Sequence, residues 1–114
     1  MNLTTMLLTM CLNAGLNCEN VTATFGETPR GTVGTAQVFT SGAMKIVIST
    51  KIESSEWRVR HTMLHELAHV VVYQHNISEG KRPDPTHNHM FKKACKIVSL
   101  PNHVNALACK RGDS

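Results

Sequence analysis

The sequence predicts a small α+β domain: a three-stranded antiparallel sheet packed on one long helix, with further helices at either end. Three observations carry this. Residues 51–79 contain neither Gly nor Pro and place apolar side chains at helical spacing. Three short runs rich in β-branched residues lie between residues 21 and 49. Helical periodicity returns at both ends of the chain. With 114 residues, a single domain over 1–114 is expected. Its core must be aliphatic, because the composition is 41% hydrophobic but only 4% aromatic.

Leu3, Met6, Leu7, Met10 and Cys11 recur at i, i+3, i+4, i+7 and i+8, which predicts a helix over 3–12. Asn13, Gly15 and Asn17 end it. Residues 21–25 form a first strand. Residues 26–34 hold three Gly and one Pro and read as a loop. Residues 35–40 and 45–49 are strands, joined through Ser41-Gly42 as a hairpin. The long helix follows over about 54–75, with Ser54 or Ser55 as cap and Glu56 at the positive end of its dipole. Residues 76–85 are polar, with Gly80, Pro83 and Pro85, and return the chain. Thr86 can cap a last helix over about 89–99, which Pro101 stops. Its buried stripe is Phe91, Ala94, Cys95 and Val98, and Lys92, Lys93 and Lys96 are its wet side. Residues 100–109 form an irregular or short helical tail.

Chemistry concentrates in His65-Glu66-Leu67-Ala68-His69 on the long helix. The two His lie one turn apart on one face and can reach the same tetrahedral zinc. Glu66 is rotated about 100° from His65, which suits it to hold a water rather than to serve as a third ligand. A metal-dependent hydrolase needs that arrangement. A third ligand must come from elsewhere. His87, just before the last helix, can fold back on His69, and His89 is the competing choice. His75 is about 120° off the ligand face and reads as a surface residue. His61, one turn before His65, reads as a helix-surface or supporting residue.

Cys11, Cys18, Cys95 and Cys109 form no C-x-x-C pair. Their low density predicts reduced thiols in a cytoplasmic protein. The apolar start carries no positive segment, so no signal peptide is expected, and no run is long enough to span a bilayer. The net charge of +4 is compatible with an acidic partner and equally with simple solubility.

Residues 64–75, together with His87-Asn88-His89-Met90-Phe91, resemble the SprT-like zinc metalloprotease domain of the bacterial SprT and Spartan family. That family pairs H-E-x-x-H with H-G-x-x-(F/W) opening the next helix. Gly34-Thr35-Ala36 and the hairpin resemble the segment before its active-site helix. The resemblance implies a minimal zincin-like fold, with His87 as the third ligand beside His65 and His69, zinc as cofactor and Glu66 as the base. It also implies a protein or peptide substrate, with action on DNA-associated proteins. Asn88 stands where the family usually has Gly, and Asn tolerates left-handed backbone. The loop before His87 is longer than in the bacterial members, and no zinc ribbon follows. A chain this reduced resembles viral or phage members acting inside a host cell.

Two functions follow. In the first, the protein is a peptidase whose substrate lies extended along an edge strand near residues 45–49, and Tyr73 is either an oxyanion donor or a core residue. In the second, it is a non-catalytic zinc-stabilised module that binds DNA or protein, meeting phosphates through Lys92, Lys93 and Lys96, with Lys81, Arg82, Lys110 and Arg111 elsewhere. Glu66 separates the two, because a purely structural site needs no carboxylate beside its ligands.

Overall fold

The computed structural model describes residues 1–104 and Cys109. Its elements run α1 (Leu3–Ala14), β1 (Val21–Gly26), β2 (Gly34–Val38), β3 (Met44–Ser49), a 3-10 turn (Thr50–Ile52), α2 (Glu56–Ser78) and α3 (His89–Ser99). The α+β class is as expected.

Helix α1 begins where the Asn2 side chain accepts the Thr5 N–H. It ends at Gly15, whose φ of 68° lets the chain reverse while Leu16 N–H closes on Cys11 O. Leu3, Leu7, Met10 and Cys11 face inward. Four of the five predicted stripe residues are therefore buried, and Met6 is partly so.

The sheet departs from expectation. Its order is β1-β3-β2, and it is mixed rather than antiparallel. The hairpin β2–β3 is antiparallel, pairing Gly34 with Ile48 and Val38 with Met44. Strand β1 runs parallel to β3, pairing Val21 with Met44 and Gly26 with Ser49. The physical reason lies in β3. Met44, Ile46, Val47 and Ile48 are all buried, so this strand takes the centre and is flanked on both sides. It is not an edge, so no substrate can pair with residues 45–49. The open edges belong to β1 and β2.

Helix α2 packs into the middle of the molecule. The Ser55 side chain caps it by accepting from Arg58 N–H. Every residue from Thr62 to Val70 is buried, because the sheet and both other helices press on this stretch. Helix α3 is the amphipathic partner, burying Phe91, Ala94, Cys95 and Val98. Its cap is Asn88, not Thr86, with the Asn88 side chain accepting from Phe91 N–H. After α3, the Asn102 amide donates to Met10 O and Val98 O and fastens the turn to α1.

The cysteines correct a second expectation. They are paired, Cys11 with Cys18 and Cys95 with Cys109. Neither bond is visible as a spacing motif. Each is made by the fold: Cys18 meets Cys11 across the turn after α1, and Cys109 meets Cys95 of α3. The reading of reduced thiols falls, and with it the argument that rested on them for a cytoplasmic protein. Of the tail predicted over 100–109, residues 105–108 lie outside the described residues, as do Lys110 and Arg111. No helix among the described residues is long and apolar enough to cross a membrane.

Candidate metal centre

The site grows from the buried middle of α2 and the turn that enters α3. His65 and His69 are 5% and 2% exposed, and between them Glu66 is 1% exposed. Hydrophilic groups at such depth require partners or an ion. His87 arrives from the other side. Its Nε2 lies 3.2 Å from His65 Nε2 and 3.1 Å from His69 Nε2. These three ring nitrogens form the one group of this kind among the described residues that could hold a metal ion.

The donor set fits zinc on its own terms. Three ring nitrogens that face one another cannot all donate or all accept. A cation between them satisfies three lone pairs together. In tetrahedral zinc with bonds of 2.0–2.1 Å, neighbouring nitrogens stand about 3.3 Å apart, close to the spacing here.

Two supports hold the triad. Phe91 packs against all three imidazoles, with ring centroids 5.0 Å from His65, 4.4 Å from His69 and 4.6 Å from His87. The loop before α3 is fixed by Asp84, which accepts from Thr86 N–H at 2.9 Å and Thr86 Oγ1 at 2.7 Å. Its other oxygen accepts from Asn88 Nδ2 at 3.0 Å. The Thr86 hydrogen bonds, backbone first, hold the Asp84 carboxyl below the usual carboxylate range. His87 sits between these anchored residues. Asn88 has φ −78° and ψ −171°, so no left-handed backbone is needed there. Asn serves at this position as a helix cap.

The competing histidines separate. His89 opens α3 and is exposed. His75 is exposed on α2 and pairs with Glu79. His61 lies under Trp57 with ring centroids 4.1 Å apart, and its Nδ1 meets Trp57 O at 2.8 Å. None of the three belongs to the nitrogen group.

Strand β2 lies over Glu66. A Cβ built on Gly34 would meet Glu66 Oε2 at 3.0 Å and Thr62 Cγ2 at 2.6 Å. Only a glycine lets the strand approach this closely. Tyr73, one turn past His69, stacks on its ring at 5.9 Å and is 5% exposed. Burial first, then the charges of Glu66 and Asp84, push its hydroxyl up to about 12. It is a core tyrosine that keeps its proton.

Sequence reasoning missed Asp84, and it quoted Gly34 only in the resemblance, without its contact to Glu66. Asp84 carries a signal, an Asp two residues before a Thr in a Pro-bearing turn. Gly34 carries another, a lone glycine opening a strand pattern.

These features define a class: an α+β domain with three histidines converging between a central helix and the turn into the next. The SprT-like family model matches residues 7–109, and the chain belongs to the SprT-like family. Neither the curated proteins nor the solved structures compared with it give a match.

Proposed function

We propose that this chain is a zinc-dependent metallopeptidase. His65, His69 and His87 would hold the metal, and Glu66 would act as general base. The observation that carries this reading is the burial of Glu66 on the same helix turn as two members of the nitrogen triad. A zinc bound there supplies a Lewis acid that lowers the pKa of water and polarises a carbonyl. The remaining work belongs to the chain. Glu66 takes the proton from the attacking water and passes it to the leaving amine. Phe91 and the buried helix wall shield His65 and His69 from bulk water, and His87 stays partly exposed.

The open edge of β2 supports a place for an extended substrate. Ser49 N–H donates to Val33 O and Phe39 N–H donates to Ala43 O, each at 2.9 Å. Antiparallel alternation then turns the N–H and C=O groups of Ala36 and Val38 towards the open edge of β2. An extended peptide can add to that edge and pass over Glu66 near Gly34.

The test is zinc content and cleavage of an unfolded protein substrate, for wild type and Glu66→Gln. The expected result is one zinc per chain in both proteins, with cleavage reduced about 10²–10⁴-fold in the variant. Equal cleavage by the two proteins would remove Glu66 from the mechanism. Zinc without cleavage in wild type would favour the binding-module reading. On this proposal DNA is not the substrate but a surface on which substrates sit. Lys92, Lys93 and Lys96 are exposed on α3 and supply the charge for that reading.

A further inference from the structure

The outward face of α3 is not an ordinary solvated face. Its inward stripe is complete with Phe91, Ala94, Cys95 and Val98. Yet Met90 and Ile97 remain 39% and 50% exposed, and Leu100 at its end is 77% exposed. Residues 90, 97 and 100 share the outer side of the helix with the lysines, by 100° steps. Large apolar side chains grouped on a solvent face mark an interaction site more often than chance does.

This face borders a groove. Val71 and Val72 of α2 and Met90, Ala94 and Ile97 of α3 line a concavity of about 250 Å³, with Lys93 at its rim. Lys92 and Lys96 continue the positive charge along the helix, and α3 holds no acidic residue. His75 also lines the groove, and its ring meets the half-exposed carboxylate of Glu79 at the end of α2.

We propose that the α2–α3 groove binds an acidic amphipathic helix of a partner protein. Apolar anchors at i, i+3, i+4 and i+7 would enter between α2 and α3, and carboxylates on the flanks would meet Lys93 and Lys96. Charge complementarity selects this occupant. A second copy of the chain brings a net charge of +4 towards the same lysines. Duplex DNA can meet the exposed lysines but leaves the apolar floor at Ile97 uncovered. A bilayer meets convex surfaces, whereas this floor lies between two helices. The groove is separate from the histidine triad, so the inference stands whether or not the chain cleaves peptides.

The experiment uses the whole zinc-loaded chain and a dye-labelled Leu/Glu peptide of about five helical turns, its leucines on one face. Controls are the same composition with leucines scattered, a duplex oligonucleotide, and phosphatidylserine vesicles. The expected result is saturable binding of the amphipathic peptide, at least about tenfold tighter than the scattered one. Ile97→Glu and Lys93→Glu should each weaken it about tenfold or more. Both positions are on the surface, so zinc content and melting temperature should stay as in wild type. Equal binding of the two peptides would overturn the proposal, and so would no binding at about 1 mM peptide. Binding of DNA or vesicles that Lys93→Glu abolishes and Ile97→Glu leaves intact, with no peptide preference, would replace it with a phosphate-binding surface.

Discussion

Gly34 shows how one missing side chain positions a site. Its backbone rests on α2 where any Cβ would press on Thr62 and Glu66. Gly34→Ala should therefore destabilise the fold by about 1–3 kcal/mol, the usual range for overpacking. It should also reduce cleavage, because the carboxylate must move, while the three histidines keep their zinc. Adding Thr62→Ser removes the closer clash at 2.6 Å but leaves the one with Glu66. The double variant should regain melting temperature and not activity. Recovery of both together would mean that Gly34 matters for packing alone. At this scale the sequence was informative where chemistry follows spacing: His65, Glu66 and His69 are brought together by helix geometry alone. His87 and His89 are two residues apart, and spacing does not choose between them. The choice is made by the Asp84 turn and the Asn88 cap, which send His87 inward and leave His89 at the helix start in solvent.

Elements inherit their positions from such contacts. Three hydrogen bonds to Asp84 give the loop before α3 its shape. Asp84→Ala should leave α3 packed through Phe91 and Cys95 and loosen only the presentation of His87. Zinc affinity should fall about tenfold, as for other residues that orient ligands, measured by competition with a chelator. An unchanged affinity would make Phe91 packing sufficient on its own. The depressed pKa gives the sign of the pH effect. The contacts are fully present above the ordinary carboxylate range and are lost as pH falls through the lowered value. Helices and strands were legible here because each buries a periodic face. The parallel pairing of β1 with β3 was not, because periodicity says which face is buried and not which neighbour a strand takes. That pairing makes β3 central and moves the open edge near Glu66 to β2.

The whole molecule is held at its two ends. One disulfide ties α1 to the approach of β1, across a separation of 7 residues, and the other ties α3 to the tail, across 14. Chain entropy favours the longer loop, where a cross-link stabilises by about 3 kcal/mol through restricting the unfolded chain. For a domain of this size that corresponds to roughly 10 °C or more in melting temperature. The Cys95–Cys109 bond has the further effect of holding Cys109 against the helix that carries the groove lysines and follows His87. The prediction is that the purified protein titrates with no free thiol before reduction and four after it. Cys95→Ala/Cys109→Ala should melt lower by that amount yet bind zinc with unchanged stoichiometry, since neither cysteine belongs to the nitrogen group. Four free thiols in protein purified without reductant would mean that the chain folds and persists unlinked, and packing around Phe91, Leu64 and Ile46 would then hold the ends without help. A lower melting temperature on reduction would instead fit a protein made for an oxidising environment, which four scattered cysteines do not reveal by their spacing.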